Sequence, residues 1–336
     1  MIILQANNAS IINDVQNLLK NHSNFLGNKI FIICGPTASG KSQIAMDLAR
    51  SHPILHSNCT IINADSMQIY KECPILTAQP NESHKLIVNH QLYGFKSISN
   101  YITNNDTKRF SIKEWMNLAV IKIDEARLNK STPILVGGSG MYINGLIFGI
   151  AKIPEIDKSH EQTLLKHIAA HGTSSLYHAL QKHDPEYASK ISSNDKQRIT
   201  RALSVYFTSG KKLSELHKQH HSGSPYNTDE FIIIYMNEDR KELYQNINER
   251  VLTMLTNGAI DEVNALKQRI ATQSKIIHIP PIIGLNTIGK YIDGNINKDT
   301  MVETIQQETR RYAKRQVTYF NGLINKLSKT ENPNYS

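Results

Sequence analysis

Cysteine is nearly absent, with Cys34, Cys59 and Cys73 the only three in 336 residues. An odd count at these spacings excludes a disulfide framework and supplies no metal-ligand motif, so the three are read as reduced packing residues. Acidic residues are also short, 29 Asp plus Glu against 38 Lys plus Arg, for a formal net charge of +9. That deficit fits a polyanionic partner such as nucleic acid, although a Lys-, Asn- and Ile-rich composition yields the same sign without one. No apolar run approaches the roughly 20 residues a membrane-spanning helix requires. Residues 1–29 lack the basic start, long apolar stretch and small-residue cleavage site of a secretory leader, and are expected to be an N-terminal extension of a cytoplasmic protein. Internal repeats and low-complexity tracts are absent too. With 40% hydrophobic and 20% charged residues the chain has an ordinary globular composition, and its length accommodates two domains.

What is present begins at "FIICGPTASGKS", residues 31–42. Gly35, Pro36, Thr37, Ala38, Ser39, Gly40, Lys41 and Ser42 fit G-x-x-x-x-G-K-[ST], a loop whose backbone N–H groups cradle phosphate oxygens while Lys supplies a cation and Ser ligates magnesium. The context agrees. Ile30–Cys34 reads as a buried parallel strand, and "SQIAMDLAR" has helical spacing, which would set the anion on a helix N-terminus. Such loops hold ATP and other polyphosphates alike, so by itself the loop does not separate kinases, ATPases and transferases.

From residue 30 to about 150, β-branched runs alternate with helical patterns: "FIIC", "CTIINAD" and "STPILVGGSG" are strand candidates. Between about 157 and 222 the strand signal gives way to short helices, "HEQTLLKHIAAHG", "SLYHALQKHD", "PEYASKI" and "DKQRITRALSVYFTSG", and it returns in "EFIIIYMN" at 230–237. Long helical patterns follow over 240–270 and 298–327. The order implies an α/β fold, a P-loop NTPase-like parallel sheet split by an α-helical insertion. The expected divisions are an extension (1–29), the first part of the core (30–156), the insertion (157–224), the second part of the core with C-terminal helices (225–328), and a tail (329–336).

Three places outside the loop could do chemistry. Asp65, in "IINADSMQIY", ends a strand, where a carboxylate can act as general base toward a nucleophile facing the phosphates. Capping of the next helix or binding magnesium through water are its other uses there. Gln68 has the donor and acceptor pair that reads an adenine edge. Gly137, Gly138 and Ser139 close another strand and allow close approach of a ligand. Basic residues gather twice. Arg198 and Arg201 share a helix face beside Gln197, and "ETRRYAKRQVTYF" concentrates Arg310, Arg311, Lys314 and Arg315 among Tyr312, Tyr319 and Phe320. Such runs are often solvated faces, but two of them favour contacts to a nucleic-acid backbone.

Taken in order, "GPTASGKS", "ADSMQIY" with "TAQP", "ILVGGSGMYINGLIFG", "DKQRITRALSVYFTSGKKLSE" and "RRYAKRQVTYF" resemble the tRNA dimethylallyltransferases, the isopentenyl-diphosphate:tRNA transferases, over residues 30 to 320. The resemblance implies transfer of the dimethylallyl group of dimethylallyl diphosphate to N6 of the adenosine 3′ to the anticodon. The loop would then hold a leaving pyrophosphate with Mg2+ on Ser42. It implies catalytic roles for Asp65, Thr37 and Arg250, and contacts to the tRNA anticodon stem-loop from Asp65, Ser66, Met67, Gln68, Ser139, Gln197, Arg198, Ile199, Thr200, Arg201, Arg311, Lys314 and Arg315. The expected state is a monomer. A small-molecule kinase fits the phosphate loop equally well, and a non-catalytic RNA-binding module leaves Lys41 and Asp65 without a purpose. Two positions depart from the family pattern: Asn246 stands where an arginine is usual, and Leu285-Asn286 follow Gly284 where a tyrosine and a basic residue are common.

Overall fold

The computed structural model describes residues 1–6, 29–51, 59–98, 110–219, 223–271 and 279–331. Its centre is a six-stranded sheet: β1 (Ile2–Ala6), β2 (Ile30–Cys34), β3 (Cys59–Asn63), β4 (Asn89–Gln91), β5 (Thr132–Gly137) and β6 (Phe231–Met236), in the order β1-β6-β2-β5-β3-β4. Every pairing is parallel. Strands buried on both faces carry continuous apolar runs, and "IFIIC" in β2 and "FIIIYM" in β6 are buried at every position. The helices α1 (Lys41–Ser51), α2 (Glu82–Ile87), α3 (Ile112–Leu128) and α4 (Gly140–Phe148) alternate with these strands. The phosphate loop joins β2 to α1, so it stands at the carboxyl edge of the sheet, where open α/β folds bind their ligands.

Two strands escape the sequence reading. β1 lies within the expected extension and pairs with β6 from Ile2↔Ile232 to Ala6↔Met236; its apolar run is only three residues long. β4 is a three-residue edge strand of Asn, His and Gln, with no apolar alternation to reveal it. The remaining residues 7–28 of the extension lie outside the described set.

Residues 1–147 and 226–336 form one compact unit and residues 148–225 a second. The second begins earlier than 157 because Ile153 and Ile156 pack onto its core of Leu164, Leu180, Ile199 and Leu203. It comprises α5 (Lys158–His171), α6 (Ser174–His183), α7 (Pro185–Ala188), α8 (Lys196–Ser209) and α9 (Leu213–Gln219). Buried Asp184 ties it together, accepting from the Ser214 amide at 2.9 Å, the Ser214 hydroxyl at 2.6 Å and the Tyr187 amide at 3.1 Å.

After β6 the first unit continues as α10 (Arg240–Thr256), α11 (Ala259–Ala271), α12 (Leu285–Ile292) and α13 (Lys298–Glu331). The helical pattern over 240–270 is two helices rather than one, because the chain turns at Gly258 with φ +100°. Burial pushes all three cysteine thiols up to about 12, which keeps them protonated and fits packing residues.

Candidate active site

The phosphate loop is shaped by backbone. At Gly35, φ is +152° and a Cβ would lie 2.8 Å from the Met236 carbonyl oxygen, so β6 closes the space a side chain would need. Ala38 (φ +64°) and Gly40 (φ +75°) supply left-handed turns, which let successive amides face one concavity. The loop delivers Lys41 at the first position of α1. Its ammonium donates to the Pro36 carbonyl and lies 3.5 Å from the fully buried Ser39 hydroxyl.

Desolvation pulls the Lys41 pKa down to about 8 and nearby Arg250 adds to the fall, while Asp65 and Glu238 oppose it. A diphosphate would restore the missing counter-charge. We therefore expect affinity for inorganic pyrophosphate to be full below pH 8 and to decline above it as free Lys41 loses its proton; a flat titration from about pH 7 to about pH 10 contradicts this. The same shift has a stability sign. The folded pKa lies below the unfolded one, so charged Lys41 opposes folding below pH 8, and that burden is relieved between about 8 and 10.5.

Asp65 follows β3 and is held by its neighbours. Its amide donates to Asn63 Oδ1 at 2.8 Å, Asn63 Nδ2 donates to the carbonyls of Asp65 and Leu92 at 2.9 Å each, and Asp65 Oδ1 accepts the Met67 amide at 2.9 Å. The indole of Trp115, on α3, donates to the Asn63 carbonyl at 2.9 Å and stacks on Tyr142. Ser139 Oγ accepts the Ser66 amide at 2.8 Å and donates to Ser66 Oγ at 3.1 Å. Burial, with Asp65 adding to it, raises the Tyr312 phenol above its usual range, so it stays protonated.

Arg250 reaches the loop from α10, its Nη1 donating to Thr37 Oγ1 at 2.9 Å. Thr37, Asp65, Thr77, Arg250, Thr309 and Tyr312 line a cavity of about 50 Å3 together with Met67, Leu76, Val251, Met254, Ile282 and Ile283. A wider groove of about 640 Å3 shares Arg250 and Met254 with it and carries Lys71, Gln79 and Tyr93. The site is thus half polar and half apolar, a combination that suits a ligand with a charged head and a hydrocarbon tail.

Several expectations need correction. Ile199 and Thr200 are 0% and 3% exposed, because the helical period turns their side chains into the core of the second unit, away from the exposed face of Gln197, Arg198 and Arg201. Gln68 Nε2 is engaged by the carbonyls of Thr77 at 3.0 Å and Ala78 at 2.9 Å, so the donor that a bidentate adenine contact requires is in use. The Thr37 amide donates to Gln316 at 2.8 Å and is not offered to a phosphate. Gln197, Arg198, Arg201, Arg311, Lys314 and Arg315 are exposed, with Arg198 3.2 Å from Asp195. Of the departures from the family pattern, Asn246 donates to Glu238 at 3.2 Å, Leu285 is buried and Asn286 is exposed. Gln316, Asn63, Trp115 and Tyr312 were not singled out for the site. Only Gln316 carried a signal, as a polar residue on the helix face that also holds Ala313 and Phe320.

A family model described as IPP transferase matches residues 68–323. The chain belongs to the IPP transferase family. Among the relatives of this IPP transferase are proteins named tRNA dimethylallyltransferase from Rickettsia canadensis (strain McKiel) and Rickettsia conorii. The first is 39% identical over 88% of this chain and 86% of the relative. The second is 40% identical over 88% and 77%. Among solved structures, the full-length tRNA isopentenylpyrophosphate transferase of Bacillus halodurans superposes with TM-score 0.56 at 32% identity, over 88% of this chain and 87% of that one. A eukaryotic dimethylallyltransferase, solved acting on tRNA, shares the fold with TM-score 0.68 at 24% identity, over 87% and 69%.

Proposed function

We propose that this IPP transferase moves the dimethylallyl group of dimethylallyl diphosphate onto N6 of the adenosine 3′ to the anticodon of tRNA, releasing pyrophosphate. The observation that carries the reading is the cavity whose lining Asp65, Thr37 and Arg250 share with six apolar side chains, beside a phosphate loop. Breaking the allylic C–O bond leaves charge on the diphosphate, which Lys41, Arg250 and the loop amides other than that of Thr37 would receive. The apolar side chains would enclose the five-carbon chain and keep water from the allylic cation. The N6 lone pair of adenine is delocalised into the ring, so the amine is a weak nucleophile. Asp65 is placed to accept the proton that N6 loses as its bond to carbon forms. The target base would leave the anticodon-loop stack to reach this depth.

Ser42, exposed at the first turn of α1, is the residue that would hold Mg2+. Among the described residues no cluster of three or more His, Cys, Asp or Glu side chains could hold a metal. The ion would therefore be completed by diphosphate oxygens and water, a donor set magnesium accepts, and it would neutralise charge on the leaving group. No described helix is long and apolar enough to cross a membrane. Acting on tRNA, the enzyme would work in the cytoplasm, and we propose that it does so as a monomer.

Exposed Arg198, Arg201 and Arg315 are assigned to the RNA backbone, where contacts position without reading sequence. Changing any one to alanine is expected to raise the KM for tRNA and lower the salt slope of binding by about one unit, leaving dimethylallyl diphosphate affinity unchanged. Binding measured at several salt concentrations checks this, and an unaltered slope with a lowered melting temperature contradicts it. The activity itself is tested by following dimethylallyl diphosphate with and without tRNA. Consumption and pyrophosphate release only when tRNA is present support the transferase. Production of ADP from ATP with a small-molecule acceptor would point to a kinase instead.

A further inference from the structure

We propose that Gln316 is a positioning residue for the phosphate loop. The proposal rests on the reading that this loop holds a diphosphate. Gln316 is 5% exposed, and its carboxamide spends both halves on backbone far away in sequence. Its oxygen accepts the Thr37 amide at 2.8 Å, 279 residues away, and its nitrogen donates to the Gly138 carbonyl at 2.9 Å, 178 residues away. Only a primary amide has a donor and an acceptor side by side at the end of a three-bond stem. Gly138 is shaped to receive it, since a Cβ there would lie 2.1 Å from Gln316 Nε2.

Three segments are thereby joined. Thr37 is fixed by its amide, which sets its hydroxyl against Arg250 Nη1 at 2.9 Å. Gly138 belongs to the turn that carries Ser139, which in turn holds Ser66. Gln316 lies one helical turn past Tyr312 on α13, whose outer face bears the exposed Arg311, Lys314 and Arg315. Burial excludes Gln316 from touching RNA itself. Its bonds end on the loop that cradles phosphate, so its loss is expected to misplace that loop and leave the outer face of the helix as it was. Misplacement of a positioning group by about 1 Å can cost about 100-fold in rate, and the pyrophosphate contacts of the loop depend on the same geometry.

The test uses the full chain and inorganic pyrophosphate with Mg2+ as probe, measured calorimetrically, beside tRNA binding and a melting curve. Gln316→Met keeps the volume and removes both hydrogen bonds. Gly138→Ala is an independent variant in which the new methyl displaces the carboxamide. Both are expected to weaken pyrophosphate binding by about 10-fold or more and to raise the KM for dimethylallyl diphosphate, while the tRNA affinity and its salt slope stay at wild-type values. Unchanged pyrophosphate affinity in Gln316→Met overturns the proposal. So does a loss of tRNA affinity without a loss of pyrophosphate affinity, or a parallel fall of both ligands with the melting temperature in the two variants. Wild-type protein that binds no pyrophosphate defeats the phosphate-loop reading, and this proposal with it, which separates that failure from a failure of Gln316 alone.

Discussion

Asp65→Asn is expected to lower kcat by about 100-fold or more while leaving affinity for both substrates near wild type, the signature of a lost general base. The variant is a fair probe because the fold around position 65 does not need the charge. An asparagine oxygen can still accept the Met67 amide, and the bonds to Asn63 run through the backbone of residue 65. What disappears is the capacity to take the proton from N6 as the new C–N bond forms. Single-turnover rates with enzyme in excess separate the chemical step from product release. Wild-type turnover in this variant would remove Asp65 from the mechanism, whereas a collapse of tRNA affinity would make it a binding residue.

Gly137→Ala carries the largest expected effect on stability, a loss of about 3 kcal/mol or more. A Cβ at Gly137 would sit 2.1 Å from both the carbonyl carbon and the oxygen of Ala64. Those atoms are backbone, and β3 and β5 are locked in register there, with Asn63 opposite Val136 and the Ala64 amide donating to the Val136 carbonyl at 2.8 Å. No side chain can swing aside, so relief requires parting two central strands just below Asp65. Gly289→Ala is the matched control. It lies within α12, where the added methyl meets nothing within 4 Å beyond its own helix backbone and chain neighbours, and is expected to be neutral or to stabilise by up to about 1 kcal/mol through helix propensity. Chemical denaturation of the two variants compares them directly, and equal midpoints contradict the close-approach account.

The sheet was legible where burial on both faces writes a long apolar run, as in β2 and β6, and illegible where an edge strand needs no such run, as in β4. Lys41 and Asp65 were legible because a strand end and a glycine loop fix where a side chain goes before any tertiary contact is known. Gln316 is hidden in the sequence for the opposite reason. It sits in a helix dense with arginines, and only the packing of α13 against the phosphate loop turns it inward while Arg311 and Arg315 stay outside. The resemblance puts Ile199 and Thr200 in the RNA set together with the exposed arginines on either side of them. A helix turns about 100° per residue, so neighbours in sequence need not share a face. Arg250 shows a further limit. Its bond to Thr37 spans 213 residues, and no local pattern announces a contact of that range.

The most direct test of the central claim is mass spectrometry of nucleosides from unmodified tRNA incubated with the protein, Mg2+ and dimethylallyl diphosphate. The account predicts one five-carbon unit on N6 of the adenosine beside the anticodon, with pyrophosphate released in equal amount and an initial rate of product formation lower by about 100-fold or more with Asp65→Asn. Unmodified adenosine at that position after complete incubation with wild-type protein would contradict it.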